Sequence, residues 1–154
     1  MVKCAICGRQ IRGSSGSIDH IFPRALCKWM KSSCSHSEYQ VAKSIINSNL
    51  NRVQTHKKCN ALKDDSIIPV NTLYLDSKIV EQLESMQNSL NPVIEKYKEN
   101  KTNILTKQNG RCYNCGHRIT GQGVLRRVDP AKKRTWGNAC IVCHTCNINK
   151  ADFL

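Results

Sequence analysis

Four close pairs of cysteine or histidine residues occur along the chain, and each pair has two residues between its members. They read "CAIC", "HKKC", "CYNC" and "CHTC". A ligand pair at this spacing fits a tight knuckle, and two knuckles complete a tetrahedron around Zn²⁺. Glycines follow "CAIC" and "CYNC", where they let the backbone turn so that its N–H groups face the sulfurs. The sequence therefore predicts two structural zinc sites, made by Cys4, Cys7, His56 and Cys59 and by Cys112, Cys115, Cys143 and Cys146.

A second stretch with chemical potential is "GSIDHIFPRA", in which Asp19 and His20 lie between Ile18 and Ile21. Histidine is the side chain best suited to deprotonate a water molecule near neutral pH. A carboxylate is a hard oxygen ligand that suits Mg²⁺ or Mn²⁺. The same stretch would also suit a half-buried strand that ends near Pro23, with the pair as ordinary surface residues. The surroundings of the pair decide between these alternatives.

An internal duplication connects the two halves of the chain. The segments "NRVQTHKKCNALKDD", from Asn51, and "NACIVCHTCNINKAD", from Asn138, agree at five further positions in fixed register. The matched pairs are His56 and Cys143, Cys59 and Cys146, Asn60 and Asn147, Lys63 and Lys150, and Asp65 and Asp152. Agreement in fixed register indicates a repeated structural unit. Upstream, "SIDHIFP" in the first half faces "RRVDPAK" in the second, and matching their aspartates pairs Asp19 with Asp129.

The elements that must position these residues follow from turn signals and apolar spacing. Residues 1–70 form a first module, in which "GRQIRGSSGSIDHI" is typical of a hairpin and 24–48 of helices. Residues 71–108 form a helical connector with an apolar stripe over 76–100, divided into two helices by Asn91 as N-cap and Pro92 as first helical residue. Residues 109–154 form a second module with its own hairpin in "HRITGQGVLRRVD". We expect an α+β fold of two small zinc-stabilised modules joined by this connector.

Composition limits the partners of the chain. Its 154 residues carry 24 Lys and Arg against 11 Asp and Glu, a formal charge of +13, which favours nucleic acid or an acidic membrane surface as partner. No segment approaches the roughly 20 apolar residues of a membrane span, and "MVKCAICG" lacks the apolar region of a signal peptide. We therefore expect a cytoplasmic protein, cytosolic or nucleoid-associated, whose partner is not a membrane.

The order of knuckle, Asp-His pair, asparagine and closing "CNALK" resembles the HNH family of endonucleases, which have the ββα-metal fold. The matching residues are Cys4, Cys7, Asp19, His20, Pro23, Asn51, Cys59, Asn60 and Lys63, over the first 65 or so residues. The resemblance implies hydrolysis of phosphodiester bonds, usually in DNA and here expected to be double-stranded, with one divalent cation. It implies that Asp19 and Asn60 bind Mg²⁺ or Mn²⁺, that His20 activates water and that Asn51 holds the loop orienting His20. Arg24 and Lys63 are the candidate phosphate contacts.

The second module resembles the same family less completely. Asp129, Asn138 and Asn147 keep the pattern of a possible second site, but Pro130 stands where the family has its histidine. Proline cannot accept a proton, so we expect a degenerate copy that binds DNA. Its nucleic-acid-binding candidates are Arg126, Arg127, Lys132, Lys133 and Arg134.

Two other functions remain open from the sequence: a non-catalytic zinc-stabilised DNA-binding protein, and a nuclease that acts on RNA. A single working site per chain would cut one strand per encounter. A homodimer paired through the 76–100 apolar stripe would supply the second cut.

Overall fold

The computed structural model describes residues 1–148, with side chains through Asn147. Lys150 and Asp152, which complete the repeat, lie outside the described residues. The fold mixes helices with two small sheets, so the predicted α+β class is confirmed.

The first module has two antiparallel strands followed by a helix. Strand β1 (Gly16–His20) pairs with β2 (Arg52–His56), which places Asp19 opposite Val53 and His20 opposite Arg52. Helices α1 (Ala25–Met30) and α2 (His36–Ile46) lie between the strands in sequence, and α3 (Lys57–Lys63) follows β2 directly.

The second module repeats the order of strand, strand and helix without the inserted pair of helices. Strand β3 (Val124–Arg127) pairs with β4 (Ala139–Val142), and α5 (His144–Ile148) follows. Between the modules lies α4 (Ser77–Lys107), whose N-terminus is capped by the Asp76 carboxylate at 2.9 Å from the Lys78 N–H.

Both predicted hairpins were wrong in their strand partners. The segment before β1 makes only the isolated bridge between Lys3 and Gln10, and β1 pairs across the inserted helices with β2. The knuckle explains this pairing, because the His56 N–H donates to Cys4 Sγ at 3.3 Å and so fixes the end of β2 beside the N-terminal segment. A contact between two metal ligands outweighs the local turn signal.

The connector is one helix of 31 residues that continues through Pro92, so the predicted division at Asn91 was wrong. Proline removes one backbone hydrogen bond from a helix interior. Here the buried residues continue on both sides of it, with Leu90 before and Val93 after. Burial of this face against both modules outweighs the missing bond.

The larger of two hydrophobic clusters joins the modules to α4, and the smaller lies within the second module. Trp29 of α1 and Trp136 of the second module have ring centroids 5.6 Å apart, and Tyr97 of α4 meets Trp136 edge-on at 6.1 Å. Trp136 is partly buried and packs against this core. The apolar stripe of the connector packs within the chain, with Leu83 and Leu90 fully buried. The homodimer that the stripe suggested stays a prediction.

A buried ion pair marks the junction of the three parts. Lys101 of α4 lies 3.1 Å from Asp65, just after α3, and also donates to the Gly123 carbonyl at 3.2 Å. The other Asp65 oxygen accepts from the Leu125 N–H of β3 at 2.9 Å.

The helices among residues 1–148 include none with the length and apolar character of a membrane span.

Candidate functional site

The first zinc-ligand set is confirmed as a cluster. The ligand atoms of Cys4, Cys7, His56 and Cys59 all lie within 4.8 Å of one another, and Cys7 Sγ is 3.4 Å from His56 Nδ1. The backbone N–H of Arg9 lowers the pKa of Cys7 to about 6, whereas burial and the neighbouring thiols raise the pKa of Cys59 to about 11. A divalent cation would favour the thiolate form of both, so the residues fit zinc.

The second set has the same construction. Cys112, Cys115, Cys143 and Cys146 also lie within 4.8 Å, with 3.8 Å between the sulfurs of Cys115 and Cys143. Two thiolates bound tetrahedrally at about 2.3 Å from zinc stand roughly 3.8 Å apart. The glycines of the two knuckles both have positive φ, 72° at Gly8 and 74° at Gly116, as the predicted turn requires.

The Asp-His pair lies where β1 ends, and His20 is its last residue. Asp19 is buried, and Lys63 Nζ from α3 lies 3.4 Å from both carboxylate oxygens. The same ammonium donates to the His20 carbonyl at 2.7 Å. Asp19 Oδ2 is buried and has no hydrogen-bond partner among the described residues, and its charge is paired with the Lys63 ammonium 3.4 Å away.

The protonation of the pair follows from burial. Burial lowers the pKa of His20, and the positive charges of Arg24 and Arg52 lower it further. Its imidazole is therefore neutral at neutral pH and can accept a proton. Burial raises the pKa of Asp19, and the Lys63 ammonium opposes this rise.

Two asparagines make hydrogen bonds to residues close to the Asp-His pair in sequence. Asn51 is fully buried; its Oδ1 accepts from the Phe22 N–H at 2.7 Å and its Nδ2 donates to the Phe22 carbonyl at 3.0 Å. It fixes the turn after His20 and, being enclosed, is a positioning residue. Asn60 on α3 lies against β1, with Nδ2 3.3 Å from Ser17 Oγ.

The two modules share one cleft of about 620 Å³. Its lining includes Asp19, His20, Arg24, Lys28, Tyr113, Arg126, Arg127 and Arg134. Burial lowers the pKa of Lys28, and the charges of Arg134, Arg24 and Arg126 lower it further, which shows how closely positive groups are held here. Asp19 and His20 thus lie in the same basic cleft as arginines of the second module, whereas Asn51 and Asn60 are not among the residues that line it.

The register of the second module differs from the sequence alignment. Asn138 exchanges hydrogen bonds with the backbone of Asp129, at 2.9 Å from its N–H and 3.0 Å from its carbonyl, as Asn51 does with Phe22. The next bonds agree, since the Ile21 N–H binds the Asn51 carbonyl and the Val128 N–H binds the Asn138 carbonyl.

This geometry corrects the pairing of Asp19 with Asp129. Asp129 stands at the position of Phe22, and Pro130 at that of Pro23, so the proline does not replace the histidine. The structural counterparts of Asp19 and His20 are Arg126 and Arg127. Asp19 and Arg126 stand in the last pair but one of their ladders, and His20 and Arg127 stand in the last pair. The possible second site at Asp129, Asn138 and Asn147 therefore has no carboxylate at the position of Asp19 and no base at the position of His20.

Three phosphate-contact predictions also change. Lys63 is buried and bound to Asp19, so it is not exposed for a phosphate. Lys132 and Lys133 are exposed but do not line the cleft, and Lys132 Nζ lies 3.9 Å from Asp129 Oδ2. Arg24 does line the cleft, as do the three arginines of the second module.

Sequence reasoning missed Lys28 as a member of the site. A signal was available, since Arg24 and Lys28 are four residues apart at the start of a helix and so share a face.

No family model, curated protein or solved structure matches this chain. The functional proposal therefore rests on the geometry of the site.

Proposed function

We propose that the chain is a metal-dependent HNH-type endonuclease that hydrolyses phosphodiester bonds in DNA, with a ββα-metal module at residues 1–70 as its catalytic unit. The observation that carries this proposal is the position of Asp19 and His20 at the end of β1, in a cleft rich in arginine. A second, degenerate copy of the module supplies the other part of the cleft. Zinc at each Cys/His cluster is structural.

The chemistry assigned to the chain begins with a neutral imidazole. His20 accepts a proton from a water molecule whose oxygen attacks the phosphorus, so that one P–O bond forms while the bond to the leaving oxygen breaks. Asn51 holds the Phe22 backbone and thereby fixes the imidazole at the mouth of the cleft.

Asp19 and Asn60 would hold the catalytic Mg²⁺ or Mn²⁺. The Asp19 carboxylate lines the cleft, and its Oδ2 accepts no hydrogen bond among the described residues. Oxygen ligands from a carboxylate and an amide are those that these ions prefer. When bound, the ion offsets the negative charge on the transition state and the leaving oxygen. Burial raises the pKa of Asp19, and the Lys63 ammonium opposes this rise and so favours the ionised carboxylate.

The test compares wild-type protein with His20→Ala and His36→Ala on supercoiled plasmid with Mg²⁺. His36 is an exposed histidine at the start of α2, outside the cleft, and serves as the matched control. We expect wild type and His36→Ala to nick the plasmid, and His20→Ala to bind it without nicking, since removal of a general base costs about 10²- to 10⁴-fold in rate. Unchanged nicking by His20→Ala would remove the general-base assignment.

A non-catalytic DNA-binding protein is the second candidate, and one observation favours it. The second module has arginines where the first has Asp19 and His20. Its half of the cleft can therefore bind phosphates but has no counterpart of the proposed cation ligand or general base. Tight DNA binding by the zinc-loaded protein, with no nicking under Mg²⁺ or Mn²⁺, would establish it. Cleavage of RNA in preference to DNA in the same assay would indicate the RNA nuclease instead.

A further inference from the structure

The cleft combines phosphate-binding charge with little competing negative charge. Besides Asp19, the carboxylates that line it are Asp64 and Asp65. Asp65 is bound to Lys101, and Asp64 accepts a hydrogen bond from Asn147 Nδ2. Among residues 1–148, the ion pairs involve none of the cleft arginines. Arg127 donates one hydrogen bond from its guanidinium, to the Lys132 carbonyl at 3.2 Å, and keeps its charge unpaired for an anion.

Tyr113 is an exposed aromatic residue in this basic cleft. Its side chain is 57 % exposed, and Val128, at 45 %, adds apolar surface to the same lining. Core packing does not explain the Tyr113 ring, because the ring is exposed. The residue at the same position in the first module is the small, buried Ala5. The correspondence follows from the backbone, where the Tyr113 N–H binds the Ile141 carbonyl at 3.0 Å and the Ala5 N–H binds the Gln54 carbonyl at 2.9 Å.

The support of Tyr113 is rigid. It lies between the zinc-site cysteines Cys112 and Cys115, and its backbone bond to β4 fixes it from a third side. An exposed aromatic ring that shares a cleft with arginines is the combination that proteins use to bind single-stranded nucleic acid, with a base stacked on the ring and phosphates on the positive charges.

We propose that this cleft binds an unpaired stretch of DNA, with one base stacked on Tyr113 and the adjoining phosphates held by Arg126, Arg127 and Arg134. Bases in a duplex are covered on both faces by their neighbours, so a base that stacks on Tyr113 has left the duplex. A volume of about 620 Å³ is that of a small-molecule pocket, which suits a base with its phosphates. The cutting of such DNA rests on the proposed function; the binding does not.

The test measures binding with catalysis removed. Zinc-loaded His20→Ala protein is titrated, without added divalent cation, against a labelled single strand and against the duplex of the same sequence at equal salt. The variants Tyr113→Ala, Tyr113→Phe and Tyr74→Ala are made in that background. Tyr74 is the matched control: it is 61 % exposed, packs over Gly8 of the other knuckle and does not line the cleft.

We expect the single strand to bind more tightly than the duplex. Tyr113→Ala should weaken single-strand binding by about 5- to 150-fold, the range for one stacked base, while Tyr113→Phe and Tyr74→Ala bind like the parent. A strand containing 2-aminopurine should lose fluorescence on binding to the parent and to Tyr113→Phe, and not on binding to Tyr113→Ala. Circular dichroism and zinc content verify that each variant is folded.

Three outcomes would overturn the inference: duplex binding as tight as single-strand binding, equal effects of Tyr113→Ala and Tyr74→Ala, or tighter binding of an RNA strand of the same sequence. None of these depends on cleavage. If the binding results hold but wild-type protein cuts neither plasmid nor single strand with Mg²⁺ or Mn²⁺, the proposed nuclease function fails and the binding site stands.

Discussion

At the scale of single residues, neighbouring side chains on a strand normally point to opposite faces. Asp19 and His20 line one cleft because β1 ends at His20 and the chain turns there. This much was predictable, since both residue types and the following Pro23 can be read locally. The role of Lys63 was not, because it depends on α3 packing against β1 and places an ammonium 3.4 Å from a buried carboxylate.

The metal ligands were the most predictable residues, because the pair spacing and knuckle glycines are local. We expect elemental analysis to find two zinc ions per folded wild-type chain and one fewer in Cys59→Ala or Cys146→Ala, each with loss of structure, because zinc binding contributes directly to folding. Cys27→Ala is the control, since Cys27 belongs to neither cluster. A wild-type content below two, or equal losses in Cys27→Ala, would contradict the assignment.

At the scale of elements, the sequence predicted the order of strands and helices after each knuckle better than the strand partners. The alignment of Asp19 with Asp129 failed because it matched residue type, whereas the asparagine bonds define the register. A shift of three residues separates the two alignments, and the pairing of β3 with β4 agrees with the register that the asparagine bonds define.

Helix α4 allows a direct test of the break that the sequence suggested. In one continuous helix, Pro92→Ala restores a backbone donor and should raise the free energy of unfolding by about 1–3 kcal/mol. Asn91→Ala should be neutral or slightly stabilising, because Asn91 caps nothing there. Urea unfolding of the zinc-loaded protein measures both. A loss of about 1 kcal/mol in Asn91→Ala would indicate an N-cap and therefore two helices.

At the scale of the whole molecule, the junction of Asp65 and Lys101 holds the modules in their mutual position. Asp65 contacts α4 through Lys101 and β3 through the Leu125 N–H, so one side chain joins all three parts. The sequence could not predict this contact, because its members are 36 and 60 residues apart.

Removal of the Lys101 ammonium should be costly. Lys101→Met leaves a buried carboxylate without its partner, a change that typically costs about 3–5 kcal/mol. We expect a loss of that size in urea unfolding, together with weaker DNA binding as the two sides of the cleft separate. Lys107→Met is the control, since Lys107 is the exposed last residue of α4. Equal stability of the two variants would show that the junction does not hold the modules together.

The cleft itself divides the basic residues of the second module into two classes. Arg126 and Arg127 occupy the positions that Asp19 and His20 hold in the first module, and both line the cleft. Lys132 and Lys133 belong to the same basic stretch of sequence but lie outside the cleft.

The double variant Arg126→Ala/Arg127→Ala should weaken DNA binding and lower the slope of log affinity against log salt by about 0.7 per lost phosphate contact on a single strand. Lys132→Ala/Lys133→Ala removes the same charge and should change both quantities less. If the lysine pair matters as much as the arginine pair, DNA contacts the outer surface of the loop, and the cleft is not the binding site.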